Sequence, residues 1–112
     1  MRGTVKSKDD MERLFREGRR SSSSLVTILT LPSPASIQPD GRLAFVAGKK
    51  LGNAPLRSRC KRVMRACASE LGAPWPGFDV VFVARRKLAF APHEKVLGTF
   101  AEQLQSMGVI DG

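Results

Sequence analysis

The sequence predicts a single mixed α+β domain of two layers, on three observations. The chain has 112 residues, 42% of them apolar, enough to bury one modest core and too few for two. Apolar residues recur at helical spacing in two long segments, at Leu56, Cys60, Val63, Met64, Cys67 and Leu71, and again at Val96, Leu97, Phe100, Leu104 and Met107. Between them, residues 78–84 place apolar side chains on both faces of an extended segment, as expected for a central strand.

The elements follow in order. Ser7 and Asp10 resemble a capping box, Asp9, Asp10 and Glu12 suit a helix N-terminus, and Gly18 fits the position just past the end. Met11, Leu14 and Phe15 share one face of this helix, with Leu14 read as core. Arg19 and Arg20 close the helix, and the serine run 21–24 reads as a loop. Residues 25–31, rich in Val26, Thr27, Ile28 and Thr30, form a strand ended by Pro32 and Pro34. After a loop closing on Asp40 and Gly41, residues 42–48 form a strand around Leu43, Phe45 and Val46. Asn53 is a candidate N-cap for the next helix, and Pro55 in its first turn sacrifices no intrahelical hydrogen bond. Gly72 and Pro74 stop that helix, Trp75 reads as a structural plug, and a last helix spans residues 92–107.

Charge is distributed far less evenly than hydrophobicity. The net charge is +9, with 19 Lys and Arg against 10 Asp and Glu. Seven of these cations lie in residues 49–65, which contain no acid. On the helix, Arg57, Lys61 and Arg65 form one row with Ser58 and Arg62 beside it, while Arg59 lies nearer the opposite margin of the apolar stripe. Such like-charge spacings weaken an isolated helix by roughly 0.2–0.5 kcal/mol per pair, so the compensating anion is expected from a partner, either a nucleic acid or an anionic membrane. Arginine suits phosphate because its planar fork pairs in a bidentate way.

Other chemistries are disfavoured. Cys60 and Cys67 sit about 10.5 Å apart along one helix, too far for a disulfide and wrongly spaced for a metal pair, so they read as reduced core thiols of a cytoplasmic protein. His93 is the only histidine and reads as a solvated helix-start residue. No metal-ligand set and no Ser-His-acid set can be assembled, so no catalytic residue is assigned. The uncharged stretch 21–39 contains Pro32, Pro34 and Pro39 and cannot span a membrane. A helical DNA-binding module is disfavoured because the basic helix follows a strand and a loop.

The run Lys49-Lys50-x-Gly52-Asn53-Ala54, then Arg57-x-Arg59-x-Lys61-Arg62-x-x-Arg65, resembles the signature of the bacterial ribonuclease P protein subunit, a Lys-Lys-x-Gly-Asn-Ala loop leading into an Arg-Asn-Arg helix. It departs at Pro55, at Ser58 in place of the Asn, and at Ala66; Ser58 shortens a polar reach toward RNA. The resemblance covers residues 5–104 and implies one domain over 1–112, with an ordered core of about 5–108. It implies a ribosomal protein S5 domain 2-like fold, αβββαβα in order, with a left-handed βαβ crossover. It further implies a protein that joins a catalytic RNA one to one and helps remove the 5′ leader of precursor tRNA, with hydrolysis carried by the RNA and its Mg²⁺. In that scheme Lys49, Lys50, Asn53, Arg57, Ser58, Arg59, Lys61, Arg62 and Arg65 would contact RNA. Met11, where the family has an aromatic, and Phe15 would line a cleft for the leader. A ribosomal or ribosome-assembly protein that binds rRNA is the alternative, since it shares the charge and size.

Overall fold

The computed structural model describes residues 8–32 and 41–111, with side chains from Glu12 onward in the first helix. Along the chain lie α1 (Lys8–Glu17), β1 (Arg19–Ser22), β2 (Val26–Pro32), β3 (Arg42–Val46), α2 (Ala54–Glu70), β4 (Phe78–Ala84) and α3 (His93–Ser106). This is the αβββαβα order that the resemblance implies. The expected capping box at Ser7 and Asp10 and the turn at Asp40 lie outside the described residues.

The four strands form one sheet in the order β1-β2-β4-β3, antiparallel except for the parallel pair β3 and β4. β4 is central, as its two apolar faces require. Val26, Ile28, Val80, Phe82 and Ala84 face α2 and α3 and join Cys60, Met64, Cys67, Val96, Phe100 and Leu104 in the larger core. Phe45, Phe82 and Phe100 stack through it at 5.4 and 5.2 Å between centroids. On the other sheet face Leu29, Val81 and Ala44 pack under Leu14 of α1 in a smaller cluster.

The hand of the β3-α2-β4 connection follows from the hydrogen bonding. The Arg85 N–H donates to the Leu25 carbonyl at 3.0 Å, so the residues of β4 in phase with Arg85 bond toward β2. Val80 and Phe82, out of phase and facing the helices, therefore bond toward β3. For L-residues, a strand seen running upward with its side chain toward the viewer points that residue's N–H and C=O to the right. From the helix side, β3 thus lies to the right of β4, and the chain passes in front through α2 to enter β4 on the left. That is a left-handed crossover, against a right-handed rule obeyed in about 98% of such connections.

The serine run corrects the sequence reading. Arg19 and Arg20 do not close the helix; with Ser21 and Ser22 they form β1, paired to β2. The Ser23 Oγ accepts from the Leu25 and Val26 N–H groups at 3.2 and 3.3 Å, closing the turn. From α3, Gln103 Nε2 donates to the Ser21 carbonyl at 2.8 Å, and Arg19 Nη1 donates to the Met107 carbonyl at 3.2 Å. These long-range bonds order a segment whose composition alone reads as a loop.

Candidate nucleic-acid interface

The basic helix is fixed by its entry. Leu51, buried in the larger core, pins the loop, while Lys49 and Lys50, the first two residues of its short 3-10 turn, stay exposed. Gly52 follows at φ 140°, a backbone conformation that residues with a side chain rarely adopt, and a Cβ there would also press on Leu56 Cδ2 at 2.8 Å. The Asn53 side chain accepts from the Leu56 N–H at 3.0 Å, and Pro55 sits in the first turn. Asn53 is thus the N-cap, its oxygen held by the helix while the residue stays exposed.

Below the cap the helix divides as its periodicity dictates. Cys60, Met64, Cys67 and Ala68 are buried, with Leu56, Val63 and Leu71 packed against the same core. Ser58, Arg59, Lys61, Arg62 and Arg65 are all exposed. None of the helix's cations forms an ion pair with an acid among the described residues; its one acid, Glu70, lies at the far end and accepts from His93 Nε2 at 2.9 Å. Arg57 is half-buried, and its Nε lies beyond solvent with no acceptor among the described residues, a placement that stability does not account for. The Arg65 guanidinium lies 5.5 Å from the centroid of Phe45. That cation–π support was not legible in sequence, because it depends on β3 lying beside α2.

The thiols stay inert. Burial pushes the Cys60 thiol up against the opposing pull of Arg59, and burial, then Glu70, raises Cys67 to about 11. Neither is a thiolate near neutral pH, so neither offers a nucleophile or metal ligand. Among the described residues no three His, Cys, Asp or Glu side chains gather as metal ligands. His93, expected to be solvated, is half-exposed and bridges α3 to Glu70 of α2.

The other sheet face presents a different surface. Leu14 is buried and Phe15 beside it is 41% exposed. Phe15 is therefore available for contact. The Met11 backbone lies in α1, but its side chain is outside the described residues. Leu14 covers the row Leu29, Val81 and Ala44; the next row, Ser22, Thr27, Val83 and Val46, crosses all four strands and is only half-buried or exposed. The basic helix and Phe15 are on opposite faces of the sheet, so they form two surfaces rather than one site.

Comparison with known proteins places this arrangement. A family model described as Ribonuclease P matches residues 2–108. The Ribonuclease P protein component of Geobacillus kaustophilus is 31% identical over 93% of this chain and 85% of its own length. That of Geobacillus thermodenitrificans is 30% identical over the same shares. Among solved structures, the RNase P protein of Staphylococcus aureus superposes with a TM-score of 0.85 at 21% identity, covering 99% of this chain and all of the other. The RNase P protein from Thermotoga maritima gives 0.79 at 24% identity, again over 99% and 100%.

Proposed function

The chain belongs to the ribonuclease P protein family, and from that premise we propose that it joins a catalytic RNA one to one in the cytoplasm and helps remove the 5′ leader from precursor tRNA. The outer face of α2 carries this reading. Arg59, Lys61, Arg62 and Arg65 stand exposed beside Lys49 and Lys50, held by a buried stripe and with no ion pair of their own among the described residues. Such a surface is stabilised when phosphates arrive and release their counterions.

Phosphodiester hydrolysis, with Mg²⁺, rests with the RNA in this reading. This chain supplies position and charge: the arginines pair with backbone phosphates of the catalytic RNA, and Ser58, shorter than the family's Asn, reaches it less far. On the other face, Phe15 offers a ring for an unpaired leader base, above a floor formed by Thr27, Val83 and Val46. Stacking suits a leader because it accepts any base.

The test is reconstitution with a bacterial ribonuclease P RNA and precursor tRNA. The chain should accelerate release of the leader and lower the Mg²⁺ needed for it. No stimulation, together with co-purification of rRNA, would sink the reading in favour of a ribosomal role.

A further inference from the structure

Besides Phe15, Phe90 is the other large apolar side chain left exposed among the described residues, at 74%. It ends the short 3-10 turn Arg86–Phe90, whose Leu88 and Ala89 are buried in the larger core, so its position is fixed from beneath. Phe90 borders a hollow of about 280 Å³ with Ser24, Pro92, Lys87 and Lys95. A second hollow, of about 270 Å³, shares Ser24 and Lys87 and continues to Arg85 and Arg86. No acid lines either hollow, and none of the four cations forms an ion pair among the described residues.

A lone exposed phenylalanine needs no explanation, but one beside an acid-free groove with cations along its length is matched to a particular ligand. An apolar protein partner would not be drawn by four cations, and an RNA duplex presents no base face to stack. A single strand offers both a π-face and flanking phosphates. We infer that the groove from Arg85 to Lys95 binds unpaired RNA, with one base stacked on Phe90 and neighbouring phosphates on Lys87 and Lys95. This site is separate from Phe15, which lies on α1 across the sheet, and from the outer face of α2. The inference rests on the ribonuclease P reading only for the identity of the RNA.

The test uses the full chain and a labelled oligoadenylate of about eight nucleotides, within the usual site size, in a Phe15→Ala background to silence the other ring. Phe90→Ala should weaken binding about five- to a hundredfold at unchanged melting temperature, and leave a duplex of the same length unaffected. Phe90→Trp should restore binding, and its exposed indole should be quenched on addition of oligoadenylate. Lys87→Ala and Lys95→Ala should each lower the salt slope by about 0.7. Unchanged affinity in Phe90→Ala with an unquenched Phe90→Trp would overturn the inference, as would equal losses for single strand and duplex. Self-association of the chain abolished by Phe90→Ala, with oligoadenylate binding intact, would show a protein contact instead. The probe contains neither catalytic RNA nor tRNA. A chain that fails to stimulate leader release yet loses oligoadenylate through Phe90→Ala would therefore refute the proposed function and spare this site.

Discussion

Arg65 is the best-supported cation of the basic helix, because its guanidinium faces Phe45, a ring itself stacked on Phe82. A lysine would keep the charge and lose the planar contact with the ring. Arg65→Lys should therefore weaken binding of the catalytic RNA several-fold with its salt slope intact, whereas Arg65→Ala should also lower the slope by roughly 0.7–0.9. Titration at several salt concentrations separates the two. Phe15 obeys a different logic. Being 41% exposed, it packs only in part, so Phe15→Ala should cost about 1–2 kcal/mol of stability, less than the roughly 3–5 of a fully buried phenylalanine. Its loss should cost leader-bearing precursor tRNA roughly 1–3 kcal/mol of affinity and mature tRNA almost nothing. Equal losses for both substrates would remove Phe15 from the cleft.

At the scale of the element, α2 was the most legible part of the chain, since a 3.6-residue period and a cap are local properties. Its buried stripe, its N-cap Asn53 and the central position of β4 all stand as the sequence predicts. What escaped was set by tertiary contacts. β1 exists because Gln103 and Arg19 tie it to α3, and no pattern within Ser21 to Ser24 encodes that. Asn53 carries two expectations, an N-cap and an RNA contact, and the cap is in place. Asn53→Ala should destabilise the fold by about 1 kcal/mol, while Asn53→Asp should keep the cap and weaken RNA binding through its charge; melting curves and RNA titrations check the two effects. Of the two buried thiols of α2, that of Cys67 sets an alkaline limit. Its pKa is raised from 9.0 to about 11 in the fold, so the unfolded chain loses its proton first. Its contribution to stability is complete below about pH 9 and should be lost as pH rises toward 11. A melting series across that window should show the fall, and Cys67→Ala should shrink it, although its smaller side chain lowers stability at every pH.

At the scale of the whole molecule, the sheet is a partition. The left-handed passage of α2 keeps the basic helix with α3 on one face, and α1 with Phe15 occupies the other. Between β3 and β4, Arg42 and Asp79 lock the parallel pair, with Nη2 at 2.6 Å and Nε at 3.0 Å from the two carboxylate oxygens, both side chains largely buried. Asp79→Ala removes both charge-assisted bonds from a largely buried guanidinium, so it should lower the melting temperature and harm every activity together. Surface changes on either side of the partition should not behave this way. Residues well separated and without shared partners act additively, within about 0.3–0.5 kcal/mol, and a close-packed sheet separates Phe15 from Arg62. The double variant Phe15→Ala with Arg62→Ala should therefore lose leader affinity and catalytic-RNA affinity as the sum of the single variants. The measurement is a double-mutant cycle on the reconstituted complex, with leader-bearing and leaderless substrates. A coupling energy above about 1 kcal/mol would mean that one RNA segment spans both faces, and that the sheet does not divide substrate from catalytic RNA.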